Sequence, residues 1–244
     1  MAKRIAYLGP AGTFTEAAAL RYDPQAQLIP FASVAAVAAS VESGTAEEGV
    51  VAIENSLEGS VNDTLDLLIH DSSLSICQEV VIPIEHCLLV KAGGSAQEIR
   101  VVYSHPQALG QCRRFIEKCY PRAQAVASLS TAAAVTDMLQ SQTPAAAIAT
   151  RRAAEIYGAE ILAQGIQDNP ANYTRFVVLA KHDHPPTGRD KTSLCFSFDD
   201  DRAGILYSVL GQFATRNINL AKVESRPNKE SLGRYVFLVD LEGH

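Results

Sequence analysis

Several features are missing from this 244-residue chain, and each absence removes a class of protein. No apolar run reaches the roughly 20 residues that a membrane helix needs. The opening Met1-Ala2-Lys3-Arg4-Ile5-Ala6-Tyr7-Leu8 meets Gly9-Pro10 before a signal-peptide core has room to form, so the expected location is the cytoplasm. Cysteine is scarce and odd in number (Cys77, Cys87, Cys112, Cys119 and Cys195), with no CxxC pair. Reduced, mostly buried thiols are expected, and a structural zinc site is not. His182 and His184 flank Asp183, but two imidazoles fall short of a zinc ligand set, so no metal is expected. No basic run or aromatic–basic stripe is present and the net charge is −6, which argues against a nucleic-acid partner. There is no G-x-G-x-x-G, no P-loop and no G-x-S-x-G elbow, and Ser104-His105 is not a hydrolase signature. No nucleotide or redox cofactor is therefore implied.

What remains suits a globular protein with a substantial core: 47% hydrophobic and 20% charged residues. A net negative chain gains no long-range attraction for an anion, so an anionic ligand must be held by local donors. Over the first 180 residues, short β-rich runs alternate with helical ones, which predicts an α/β fold with mostly parallel strands. Strands are expected at 4–8, 49–54, 75–81, 84–90, 100–103, 123–127, 145–149 and 175–181. Helices are expected at 15–22, 34–43, 61–69, 106–119, 131–139 and 151–157. In the fourth of these, Leu109, Cys112, Ile116 and Cys119 mark the buried face. Residues 182–191 form a polar Pro/Gly-rich linker. Beyond it the periodicity gives a β-α-β-β series, and then the chain stops.

Several strand ends run into helix starts that carry a small polar side chain: Gly12-Thr13-Phe14-Thr15-Glu16, Ile53-Glu54-Asn55-Ser56, Ser104-His105-Pro106-Gln107, Ser130-Thr131 and Ala149-Thr150. Ligands of open α/β sheets bind beyond the carboxyl ends of the strands, and helix N-termini offer free N–H groups. Each string also reads as a plain helix cap: Thr13 to Glu16 and Ser104 to Gln107 fit capping boxes, and Pro106 fits the first helical position. Recurrence at one topological position is what points to a ligand. Asp168-Asn169-Pro170-Ala171-Asn172-Tyr173-Thr174-Arg175-Phe176 is a polar turn entering an apolar strand, in which Arg175 either forms a surface salt bridge or meets a ligand.

Taken in order, five strings resemble the prephenate dehydratase family. They are Gly9-Pro-Ala-Gly-Thr-Phe14, Ile53-Glu-Asn-Ser-Leu-Glu-Gly59 with Thr64-Leu-Asp-Leu-Leu68, Ser104-His-Pro-Gln-Ala-Leu109 with Gln111-Cys112, Ser130-Thr-Ala-Ala133, and Asn172-Tyr-Thr-Arg-Phe176. The resemblance implies a dehydratase domain over 1–181 with a fold like a type II periplasmic binding protein. One subdomain takes about 1–81 plus 165–181 and the other about 84–160, with crossings near 81–84 and 159–165. It implies catalytic roles for Thr174, Glu54, Ser104 and Gln111, and substrate contacts from Asn55, Thr13, Thr131, Arg175 and Phe176. The implied reaction is the decarboxylative dehydration of prephenate to phenylpyruvate, without a cofactor. Thr174 would donate to the departing hydroxyl, with Glu54, its pKa raised by desolvation, as the relay behind it. Arogenate dehydratase and a non-catalytic aromatic-acid sensor are the rival readings.

Residues 192–244 resemble the front of a ferredoxin-like ACT domain, as a partial βαββ unit. The effector motif appears as Gly204-Ile205-Leu206, followed by Asn219 and by Glu224-Ser225-Arg226-Pro227. Phenylalanine is the implied effector. Ile205 stands where the family has alanine, and a helix and a strand of the full domain are missing, so feedback inhibition is expected to be weak or absent. The missing strand would leave 192–198 as an open edge, so either truncation or a covering partner subunit is expected. Relatives imply a homodimer or homotetramer, and the start at Met1 leads us to expect no mutase domain upstream.

Overall fold

A computed structural model of the chain describes residues 2–199 and 202–244. Contacts divide it into two units, Met1–Asp183 and His184–His244. In the first unit, β1 (Arg4–Leu8), α1 (Phe14–Tyr22), β2 (Gln27–Phe31), α2 (Val34–Glu42) and β3 (Glu48–Asn55) form a parallel start. A short β4 (Gly59–Ser60) folds back on β3, and α3 (Asn62–Asp66) runs into a wider-wound turn at Leu67–Asp71. Next, β5 (Ser75–Pro83) completes this excursion, and the chain leaves the sheet.

A second sheet then forms from β6 (Cys87–Val90), β7 (Val101–Ser104), α4 (Pro106–Gln111), α5 (Arg113–Cys119), β8 (Gln124–Ala127), α6 (Thr131–Gln140), β9 (Ala145–Ala149), α7 (Arg151–Tyr157) and β10 (Glu160–Gln164). Its strand order is β10-β6-β9-β7-β8. The chain returns as β11 (Tyr173–Ala180), which inserts antiparallel between β3 and β5 and gives the first sheet the order β2-β1-β3-β11-β5. Two lobes joined by two crossings result. Each lobe has its own apolar core: Ile5, Val50, Phe176 and Val178 under α1 in one, and Leu88, Val102, Ile116 and Ile148 in the other. Small residues let helices sit close to strands: Ala134, Ala147, Ala149 and Ala153 are fully buried together between β9, α6 and α7.

The helices start where the sequence says they should. Thr13, Ser33, Ser130 and Thr150 each accept a backbone N–H three residues on and cap α1, α2, α6 and α7. Pro106 opens α4, but the cap is the His105 ring rather than Ser104. Other expectations shift. The single helix 106–119 is two, because Cys112 leaves helical geometry (φ −114, ψ 18) and the Asp168 carboxylate accepts from Arg114 N at 3.1 Å, at the start of α5. Three strands were not foreseen: β2, the two-residue β4 and β10. β2 contains Pro30, which suits the sheet edge it occupies but breaks a strand signal. β10 occupies most of 159–165, the segment expected to carry the chain back, so the return runs through 165–172 instead.

The second unit is β12 (Lys191–Ser197), α8 (Ile205–Thr215), β13 (Leu220–Pro227) and β14 (Tyr235–Glu242), in the antiparallel order β12-β14-β13. This is the β-α-β-β series expected, with β12 as an open edge. Phe196, Phe198 and Phe237 pack ring on ring at 5.5–5.7 Å. The cross-strand register puts Leu194, Val239 and Val223 in one row beside them, and Leu194 and Val223 are exposed.

Candidate active site

The first lobe ends its central strands at one edge. Asn55 closes β3 and lies directly opposite Thr174 at the start of β11. Directly paired residues of an antiparallel ladder share a face, so both side chains project together. Asn55 Nδ2 donates to Thr174 Oγ1 at 2.8 Å, to Asn172 Oδ1 at 2.8 Å and to Tyr173 O at 3.1 Å. Asn172 Nδ2 in turn donates to Gln111 Oε1 at 2.9 Å, and Gln111 comes from α4 of the other lobe. Gln111 Oε1 also lies 3.0 Å from His86 Nε2, and Gln111 Nε2 reaches Glu58 Oε1 at 3.4 Å.

The direction of every bond in this chain of amides follows from one end. The backbone N–H groups of Leu57 and Glu58 point at Asn55 Oδ1, at 2.9 and 3.1 Å, and a backbone N–H can only donate. Asn55 must therefore present its oxygen to the turn and its NH₂ to Asn172 and Thr174. Asn172 then presents NH₂ to Gln111, Gln111 presents oxygen to His86, and His86 carries its proton on Nε2. His86 Nδ1 is left as a bare acceptor, buried and without a hydrogen-bond partner. Such an atom costs about 1–3 kcal/mol. The ring is only 2% exposed and packs at a right angle to Phe14, with centroids 5.4 Å apart. Burial pushes its pKa below the ordinary imidazole range, more than the Gln111 bond raises it.

Thr174 is 8% exposed. Its oxygen accepts from Asn55, and its own O–H has no acceptor among the described residues. The hydroxyl is thus a positioned donor with a free hydrogen.

The other expected residues divide. Glu54 does not stand behind Thr174. It pairs with Arg175 on the opposite face of the β3–β11 ladder, with Arg175 Nη2 2.9 Å and Nε 3.1 Å from one carboxylate oxygen. Arg175 also reaches Glu79 at 3.4 Å, so it serves carboxylates of the chain itself. Phe176 is 2% exposed in the core of the first lobe and has no surface for a ligand. Ser104 is 0% exposed and spends its hydrogen on Ile148 O at 2.6 Å. Thr13 caps α1 and donates to Leu8 O at 3.3 Å. Thr131 is the first residue of α6, one past its cap, at the end of β8. Sequence reasoning missed His86 and treated Asn172 only as part of a motif. A lone histidine between two apolar strands carries no spacing signal, whereas the polar run 168–174 did mark Asn172.

The lobes also touch away from this network. Thr150 Oγ1 donates to Gly12 O at 2.7 Å and Tyr157 OH to Ala11 O at 3.1 Å. Gly12 has φ +87, and a Cβ there would lie 3.0 Å from Ala153. Only glycine fits that approach.

In the second unit, Gly204 caps α8 with φ +84, with Ile205 and Leu206 following it. Glu224 pairs with Lys222 at 3.1 Å and with Arg226 at 3.8 Å on β13. The topology brings the start of α8 and the Arg226–Pro227 end of β13 to the same end of the sheet, while Asn219 lies at the other end, where its carbonyl accepts from Glu242 N.

Two α/β lobes crossed twice by the chain, with polar side chains from both joined at the strand ends, define a two-lobed α/β scaffold with a polar site where the lobes meet. Comparison with known proteins places it more closely. The family model for prephenate dehydratase matches residues 5–184. A bifunctional chorismate mutase/prephenate dehydratase of Aquifex aeolicus is 46% identical over 242 residues, 99% of this chain and 66% of that protein. The crystal structure of prephenate dehydratase from Arthrobacter aurescens in complex with L-Phe superposes with a TM-score of 0.91 at 36% identity, covering 99% of this chain and 80% of that one. GqqA, described as a novel type of quorum quenching acylase, gives a TM-score of 0.88 at 31% identity, covering 99% and 88%. The chain belongs to the prephenate dehydratase family. It spans about two thirds of the length of the bifunctional relatives.

Proposed function

We propose that the protein is a cofactor-independent carbon–oxygen lyase, converting prephenate to phenylpyruvate in aromatic amino-acid biosynthesis. The carrying observation is the Thr174 hydroxyl, whose oxygen is held by Asn55 while its hydrogen stays free. In the reaction the ring C–CO₂ bond breaks and its electron pair enters the ring. The C–OH bond opposite breaks, and the departing oxygen takes one proton to leave as water. Products are phenylpyruvate, CO₂ and water. Thr174 donates a hydrogen bond to the departing oxygen, and a proton from solvent completes the water, because a free threonine hydroxyl is too weak an acid to lose its proton outright. Asn55 raises the donor strength of Thr174 by occupying its lone pair. Gln111, with its amide fixed by two donors to its oxygen, is placed to hold a substrate carboxylate. Glu54 is not part of this route, since it faces the other side of the sheet with Arg175.

The acylase neighbour shows that one scaffold serves more than one chemistry, so the residues carry the assignment rather than the fold. We read residues 184–244 as the phenylalanine-responsive part of a cytoplasmic homo-oligomer, on its resemblance to an ACT domain and on the L-Phe complex of the Arthrobacter protein. The direct test is phenylpyruvate formation from prephenate, with arogenate in parallel. Turnover of prephenate is the expected result. Turnover of arogenate alone moves the assignment to arogenate dehydratase, and binding of prephenate without turnover makes the protein a sensor.

A further inference from the structure

We infer that His86 is a positioning residue for Gln111, acting from the crossing between the lobes. The inference rests on the reading of Gln111 as a substrate-binding group. His86 lies in the short segment between β5 and β6, where its backbone N–H donates to Gln167 Oε1 on the return crossing at 3.0 Å. The backbone at His86 is thus fixed to the return crossing, and its ring is held edge-to-face on Phe14 of α1. A chain of donors from the Leu57 and Glu58 backbone fixes its tautomer, so Nε2 is the nitrogen that donates to Gln111 Oε1.

That second donor has a consequence. With Asn172 alone, the Gln111 amide is free to rotate about its terminal torsion, which is broad and roughly two-fold. With His86 and Asn172 both on the oxygen, the NH₂ group is committed to the Glu58 side, away from the buried ring. Packing alone does not account for His86, since an apolar side chain would fill the same space without leaving Nδ1 buried and unpartnered. The unsatisfied nitrogen is explained if the Nε2–H is what the position needs.

The test uses the full chain and the variants His86→Leu and His86→Gln, the latter restoring an N–H near the position of Nε2. We expect His86→Leu to keep or raise Tm while kcat/KM for prephenate falls about 10- to 100-fold, as for a misplaced substrate-binding group. His86→Gln is expected to recover most of that loss. In the Gln111→Ala background, His86→Leu is expected to add no further loss. Unchanged kinetics in His86→Leu, or an equal loss on top of Gln111→Ala, overturns the inference. ¹⁵N NMR of the imidazole provides a readout independent of turnover: an Nε2–H neutral ring is expected at neutral pH, and an Nδ1–H or doubly protonated ring overturns the inference even if prephenate is turned over. If the wild-type protein does not turn over prephenate, the functional reading fails. His86 is then judged by the tautomer and by whether His86→Leu moves the Gln111 side-chain amide resonances.

Discussion

At the scale of single residues, chemistry here is set by burial and by the direction of hydrogen bonds more than by net charge. Burial pushes the Cys112 thiol up to about 12 and the Cys77 thiol up to about 11, and it raises Cys87. Cys119 and Cys195 are exposed. Thiolate, not thiol, is the nucleophile. Iodoacetamide on the native protein at mildly alkaline pH is therefore expected to label Cys119 and Cys195 first, as read by peptide mass spectrometry. Early labelling of Cys112 would contradict its burial at the junction of α4 and α5. The His86 ring is pushed in the other direction, below its ordinary 6.5. In the window below 6.5 the unfolded chain binds a proton on this residue that the folded chain refuses, so stability is complete above that pH and is lost as pH falls. Denaturant midpoints at neutral and mildly acid pH should show this slope, and His86→Gln should flatten it. Phe176 belongs to the same scale. As a core side chain, its replacement by Ala should cost about 3–5 kcal/mol of stability, measured by urea unfolding. A change in KM with stability intact would return it to the ligand site.

At the scale of elements, the turn and cap chemistry of the sequence was a good guide, and the edges were not. Thr13, Ser130, Thr150 and Pro106 mark helix starts because local side chain-to-backbone bonds depend only on near neighbours. The break of 106–119 at Cys112 was illegible because the group that recaps α5, Asp168, lies far along the chain. Strand β2 was hidden by Pro30, and β10 by its place in a stretch assigned to a crossing. Site residues followed the same logic. The motif positions Asn55, Gln111 and Thr174 come together, but sequence spacing does not tell which face of a strand a neighbour takes. Glu54 and Arg175, each one position from a residue of the network, turn to the other face through the period-two alternation of a strand. Gly12 is the element-scale position most exposed to test. With φ +87 and a Cβ approach of 3.0 Å to Ala153, Gly12→Ala should destabilise the protein by about 1–3 kcal/mol through strain and displacement of α7. An unchanged Tm would mean that the Gly12–Thr150 contact does not hold the lobes.

At the scale of the whole molecule, a net charge of −6 gives an anion no long-range attraction, so the proposed substrate must be held by local donors such as the Thr174 hydroxyl. The two units carry the two proposed roles, turnover in the first and the response to phenylalanine in the second. In the second, Ile205 follows the Gly204 cap at the start of α8, and the proposal that its bulk weakens phenylalanine binding can be measured. Calorimetric titration with L-phenylalanine should show weak binding that Ile205→Ala tightens, and unchanged affinity would remove the steric explanation. The central claim concerns the first unit. It is tested most directly by phenylpyruvate formation from prephenate in the wild-type protein, Thr174→Ala and Thr174→Ser. We expect kcat to fall about 10²–10³-fold in the alanine variant, as for loss of a single oriented donor, with substantial recovery in the serine variant. Near-normal turnover by Thr174→Ala would contradict the account.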